Sequence, residues 1–153
     1  MGILSRFRDI VSSNVHAVID RADHPEKTID QYLQKLSRDL GQVKAETAAI
    51  LATEQRAKRA LDDCRAEMDK LQRYAVKELE ADNEEQARKF LERKATLSMK
   101  ETELQQAYDR AAANAQRIKA MHDKLVADIG ELESRRAMIK GKQSVLRTRE
   151  GLN

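Results

Sequence analysis

The sequence predicts an all-α protein: an N-terminal amphipathic helix followed by a long antiparallel helical hairpin of coiled-coil type. Three observations lead there. The first is composition. The chain has 153 residues with only 3% aromatics, 36% charged residues, one proline and no tryptophan, and it is dominated by Ala, Leu, Glu, Lys, Arg and Gln. That is the make-up of long helices rather than of a sandwich, barrel or doubly wound sheet. A hydrophobic content of 41% also argues against disorder. The second observation is two long heptad series, and the third is a separate amphipathic stretch ahead of them.

The N-terminal element comes first. On a 100° wheel, Ile3, Leu4, Phe7, Ile10, Val11, Val15, Val18 and Ile19 fill one continuous face. Ser5, Arg6, Asp9, Ser12, Ser13, His16 and Asp20 fill the other, with Arg8 on the border, where its stem can lie along apolar surface. Residues 1–22 are therefore read as one domain. Pro25 ends it: Asp23-His24-Pro25-Glu26 combines a stop with a helix start, proline suiting the first turn and glutamate the positive end of the dipole.

Residues 25–153 are read as the hairpin. From Ile29 the series Ile29, Leu33, Leu36, Leu40, Val43, Thr47, Ile50, Glu54, Ala57, Leu61, Cys64, Met68, Leu71 and Ala75 runs three and four apart without a slip. Only Thr47 and Glu54 in it are polar, a more sustained pattern than a single globular helix needs. Phase is lost before Asp82-Asn83, a modest turn signal without glycine, which leaves two geometries: a hairpin with its turn near 81–85, the one the resemblance given below favours, and a single uninterrupted helix through residue 83. A second series starts at Ala87 and takes in Phe90, Leu97, Leu104, Tyr108, Ala111, Ala115, Ile118, Leu125, Ile129, Leu132, Ile139 and Leu146. Lys94, Glu101, His122, Arg136 and Gln143 interrupt it. Neither helix is stable alone in water, so they pack on each other. The predicted seam is Leu33, Leu36, Leu40, Val43, Ile50, Leu61 and Leu71 against Leu104, Ile118, Leu125, Ile129 and Leu132. The polar seam positions either fix register or face solvent or another subunit, and the second use is preferred for the longer helix.

Charge is unevenly distributed. Glu78, Glu80, Asp82, Glu84 and Glu85 gather at the turn, and Arg135, Lys140, Lys142, Arg147 and Arg149 near the other end. That basic group has two readings, a patch for lipid or inter-subunit contact and a solvated helix C-terminus that complements the dipole.

Function classes narrow accordingly. A net charge of +3 from 29 basic and 26 acidic residues is too balanced for a nucleic-acid binder. The lone Cys64 excludes an internal disulfide and fits a reducing compartment. No stretch nears the ~18 consecutive apolar residues of a transmembrane helix. Arg6, Arg8 and Asp9 interrupt any secretory signal, and Arg6 stands where a myristoylation pattern wants Ser or Thr. His16, His24, His122 and Cys64 share no metal-ligand spacing. Gly141-Lys142-Gln143-Ser144 lacks the rest of a phosphate loop. No catalytic, metal or cofactor site is expected, and the chain is read as no enzyme.

The amphipathic face suits either a membrane interface or a partner helix, and the wheel alone leaves both open. Its side-chain charge is only +1, and a basic residue at an anionic surface contributes only about 1 kcal/mol. Burial of apolar side chains must therefore carry the binding, at about 1.5–3 kcal/mol each. The candidate membrane-binding residues are Ile3, Leu4, Arg6, Phe7, Arg8, Ile10, Val11, Val15 and Val18.

The run Met1-Gly2-Ile3-Leu4-Ser5-Arg6-Phe7, then Asp9-Ile10-Val11, Asn14 and Asp23-His24-Pro25-Glu26-Lys27, resembles the opening of the phage shock protein A family. Ala87-Arg88, Leu91, Arg93-Lys94, Leu97 and Ile129-Gly130-Glu131-Leu132-Glu133 extend the likeness over the whole chain. That family includes the vesicle-inducing protein of plastids and is related to ESCRT-III membrane-remodelling proteins. His24 departs from the usual acidic pair before the proline. Relatives continue past position 153, so the chain is read as truncated or minimal. The resemblance implies a peripheral protein on the inner face of the cytoplasmic membrane that protects or remodels it under envelope stress. Its implied partners are copies of itself in rods, rings or filaments, and anionic lipids. In some members the hairpin also binds and inhibits a transcriptional activator ATPase, which makes a regulatory module the alternative function.

Overall fold

A computed structural model describes residues 2–152, and Met1 and Asn153 lie outside the described residues. Every element is helical: a 3-10 helix Ile3–Arg6, then α1 (Phe7–Ser12), α2 (Val15–Asp20), α3 (Pro25–Glu80) and α4 (Glu84–Leu152). α3 begins as its sequence dictates. Pro25 occupies the first helical position, and the His24 carbonyl accepts the Thr28 N–H at 3.1 Å.

The reversal between α3 and α4 is built without glycine. Asn83 N–H reaches back to the Glu78 carbonyl at 2.7 Å and Asp82 N–H to the Leu79 carbonyl at 3.1 Å. These two bonds close a Schellman motif whose left-handed residue is Asp82, with φ 59°. Aspartate tolerates that conformation better than most residues. The Asn83 carbonyl then accepts the Ala87 N–H and opens α4, with Glu84 and Glu85 in the first turn, where the dipole favours acids.

α3 and α4 pack against each other as an antiparallel hairpin. The chain divides into two compact units, one of residues 1–48 with 116–153, the other of residues 49–115. In the second unit the buried seam is Leu61, Cys64, Leu71 and Ala75 against Ala87, Ala111 and Ala115. The Tyr74 and Phe90 rings meet at 5.5 Å between centroids. Cys64 donates its thiol hydrogen to the Leu97 carbonyl at 3.5 Å, as a packed core residue would.

In the first unit a third element, the N-terminal segment, joins the two helices, and the core is heavier. Ile3, Ile29, Val43, Ile118, Met121, Leu125 and Leu132 are all fully buried there. The extra neighbour widens the buried stripe of α4. Met121, not His122, is the buried side chain at that turn, and His122 is half-exposed with Nδ1 3.2 Å from Asp123. The seam residues Leu36, Leu61, Leu71, Val43, Ile118, Leu125 and Leu132 are buried, while Leu33, Leu40, Ile50, Leu104 and Ile129 are half-buried.

Four of the five polar seam positions of α4 do not face away, contrary to the preferred expectation; His122, beside Asp123, does. Lys94 donates to Gln72 at 2.8 Å and Glu101 lies 3.9 Å from Arg65. Arg136 pairs with Asp30 at 3.0 Å, and Gln143 donates to Glu26 at 2.9 Å. Each reaches α3, so these groups favour one register, as polar seam residues do in coiled coils. Thr47 instead bonds back to the Val43 carbonyl at 2.7 Å.

Candidate functional site: the N-terminal segment

The sequence predicts one unbroken amphipathic helix over residues 3–19, and the structure breaks it. Ser13 and Asn14 are extended, with ψ 141° and 92°. Ser12 and Ser13 hydroxyls bond back to the Arg8 and Ile10 carbonyls, and Asn14 Oδ1 accepts the Ala17 N–H at 3.2 Å. Such short polar side chains offer the backbone an alternative to helix, and Asn14 caps the helix that restarts.

The break also sorts the apolar face. Ile3, Ile10, Val15 and Ile19 are buried, Leu4 and Phe7 half-buried, and Val11 and Val18 each 38% exposed. So of the candidate lipid-contacting residues, Ile3, Ile10 and Val15 are covered by the protein itself. The wheel could not separate these groups, because it carries a constant 100° step through residues that are not helical.

Polar contacts hold the segment in place. Arg6 makes a bidentate pair with Asp39, Nη1–Oδ1 2.6 Å and Nη2–Oδ2 3.2 Å. Glu46 accepts the Ile3 N–H through both oxygens, at 3.2 and 3.0 Å. The Arg117 guanidinium sits 5.9 Å from the centre of the Phe7 ring, within cation–π range. On α2, Asp20 accepts Arg135 at 3.0 Å. His16 receives Arg135 on Nδ1 at 2.9 Å and faces Glu131 through Nε2 at 2.5 Å. Arg8 is exposed. Asp39, Glu46 and Arg117 carry no signal in the sequence, because apolar periodicity on each helix has no means of pairing a charge on one with a charge on another.

The basic group near the end of α4 is split. Arg135 is committed to Asp20 and His16, whereas Lys140, Lys142, Arg147 and Arg149 are exposed and make no ion pair among the described residues. Val145 and Leu146 beside them are exposed as well. Among the described residues, no cluster of His, Cys, Asp or Glu could hold a metal ion, and no helix is long and apolar enough to cross a membrane.

These features define a class: a two-helix hairpin carrying a short, broken amphipathic segment docked on one of its units. Comparison with known proteins makes this specific. Residues 2–153 match the PspA/IM30 family, and the chain belongs to it. It is similar to the phage shock protein A homolog of Bacillus subtilis (strain 168), 55% identical over all 153 residues and covering 67% of that protein. It is similar, at 28% identity over 152 residues, to the membrane-associated protein Vipp1 of Nostoc punctiforme, covering 99% of this chain and 59% of that one. The chloroplastic VIPP1 of Arabidopsis thaliana is 26% identical over 149 residues, 97% of this chain and 43% of its own length. The chain thus spans from under half to two thirds of the length of these relatives, whose names are those of phage-shock or membrane-associated proteins rather than of enzymes.

Proposed function

We propose that this chain is a peripheral membrane-binding, self-assembling scaffold that remodels or protects the cytoplasmic membrane under envelope stress. The observation that carries the reading is the N-terminal segment, whose apolar side chains are only half consumed by the hairpin. Val11 and Val18 stay open to water, and Leu4 and Phe7 are partly so. A segment of this kind, with Arg8 exposed at its edge, can exchange the hairpin for a lipid interface. The relatives named membrane-associated support membrane association. Self-assembly is supported by the acidic turn, by the exposed Lys140, Lys142, Arg147 and Arg149, which make no ion pair among the described residues, and by the exposed Leu79, Val145 and Leu146, which suit contacts between copies.

Val11→Glu tests the anchor. Residue 11 is already exposed in the docked state, so a carboxylate there leaves the fold intact, but it would have to be desolvated on insertion. The variant should lose flotation with anionic liposomes at unchanged helicity. Flotation equal to the parent chain would dismiss residues 2–20 as the lipid-binding element.

A further inference from the structure

The segment's first turn is fastened to α3 by two carboxylates, seven residues apart and therefore on one face of the helix. Asp39 is 5% exposed and takes both Arg6 contacts. Glu46 takes the Ile3 N–H with both oxygens. Gly2 permits this approach, because a Cβ there would come within 2.5 Å of Glu46 Oε1. Ile3 and Ile10 are buried on the same segment. Asp20–Arg135, by contrast, ties α2 through a carboxylate that is 66% exposed, and such surface pairs hold weakly. The His16–Glu131 contact is likewise between half-exposed side chains, 48% and 40%, so the more buried polar fastening is at Arg6 and Ile3.

We propose that Asp39 makes release of the segment depend on anionic lipid: Arg6 exchanges the Asp39 carboxylate for a headgroup phosphate, and Ile3, Ile10 and Val15 come free of the hairpin. This rests on the reading of residues 2–20 as the membrane anchor. The exchange is chemically matched, since carboxylate and phosphate present the same pair of acceptor oxygens to a planar guanidinium. Among the described residues Arg6 is the only cation paired with Asp39. While they stay paired, the charge most useful at a headgroup is occupied. An anionic surface attracts Arg6 and Arg8 and repels Asp39, so it acts on both sides of the exchange. At a zwitterionic surface the choline already compensates the phosphate, and the Asp39 pair persists. Asp39 is in this sense a specificity-determining residue that touches no lipid itself.

The test uses the full chain and its Asp39→Asn variant, which keeps the side-chain shape. Without lipid, amide hydrogen exchange across residues 3–19 should quicken on the order of tenfold in the variant, the scale of one charge-assisted pair at a partly exposed site. With lipid, the parent chain should float on vesicles of phosphatidylglycerol in phosphatidylcholine far better than on phosphatidylcholine alone. In Asp39→Asn that preference should shrink to about twofold, through a gain on the neutral vesicles. Glu46→Gln, which loosens the Ile3 end and leaves Asp39 intact, should quicken exchange but keep the lipid preference. Unchanged exchange in Asp39→Asn would overturn the fastening. An unchanged lipid preference would overturn its role in selecting anionic surfaces. If no form of the chain floats on any vesicle, the anchor reading itself fails, and the lipid exchange with it, while the exchange rates measured without lipid still report whether Asp39 holds the segment.

Discussion

Replacing Asp128 with leucine should stabilise the protein. On α4 the buried positions run Ile118, Met121, Leu125, Asp128 and Leu132, so a carboxylate stands where the three-and-four spacing asks for an apolar side chain. Its side chain is 7% exposed. Oδ1 accepts Lys124 Nζ at 3.0 Å, one turn earlier on the same helix, while Oδ2 is buried with no hydrogen-bond partner. Two effects oppose each other. The charged hydrogen bond favours the native state by about 1.5–3 kcal/mol. Desolvating a carboxylate with one oxygen unmatched costs several kcal/mol. Leucine would remove the cost and add apolar burial, and Lys124, with 29% of its side chain exposed, can turn to water. Replacing a whole buried ion pair by apolar residues ranges from neutral to about 4 kcal/mol stabilising, and a single exchange falls in the lower part of that range provided the remaining lysine reaches water. A gain of about 1–2 kcal/mol corresponds to a rise of roughly 2–8 °C in Tm for a chain of this length. Circular dichroism melts of Asp128→Leu, with Asp128→Ala as the variant that removes charge without filling space, would measure it. A lower Tm for the leucine variant would refute the reasoning, because the carboxylate would then gain more from its surroundings than it loses in hydration.

Leu125→Ala, at a fully buried position, should cost about 2–5 kcal/mol, visible as a clear drop in Tm, whereas Leu146→Ala, 56% exposed, should leave the melt unchanged. Changing Lys140, Lys142 and Arg147 to glutamine should weaken flotation on anionic vesicles at low salt and matter little at high salt, because exposed charges are screened over about 8–10 Å under physiological conditions. An equal loss at both salts would mean that these residues act by packing instead.

The hairpin was legible because a heptad is a one-dimensional signal: Ile29 to Ala75 and Ala87 to Leu132 each show where one helix meets one neighbour. A third element lies outside that signal. Where the N-terminal segment joins the two helices, α4 buries Met121 and Asp128 beside the seam, and a pattern search tuned to two helices favours His122. The break at Ser13-Asn14 was written in the sequence, as three short polar side chains in a row, the last of them the N-cap of the next helix. An apolar wheel averages over it. Least legible were Arg6–Asp39 and Ile3–Glu46, since the residues lie 33 and 43 positions apart and no periodicity links a charge on a surface segment to its partner on another helix.

The docked geometry also decides which apolar side chains can drive membrane binding. Transfer from hairpin to bilayer moves Ile3, Ile10, Val15 and Ile19 from one apolar environment to another, so they contribute little to the difference. The driving force comes from what is still wet: Val11 and Val18, each 38% exposed, with the half-buried Leu4 and Phe7. Full burial of such a side chain is worth about 1.5–3 kcal/mol. Recovering roughly a third of that at four positions gives about 2–4 kcal/mol on the segment's side, and both the Arg6–Asp39 pair and the hairpin face that undocking uncovers oppose it. Truncations should therefore sort by docked burial, not by hydrophobicity. Ile10→Ala removes similar contact from both states and leaves a cavity only in the docked one, since lipid chains fill space that a packed hairpin cannot. Its vesicle affinity should stay level or rise. The double variant Val11→Ala with Val18→Ala removes smaller side chains yet should lower affinity several-fold. Vesicle titrations of the two variants side by side decide the matter. If Ile10→Ala loses as much affinity as the valine pair, residue 10 is wet before binding, and the segment is not docked in the free protein.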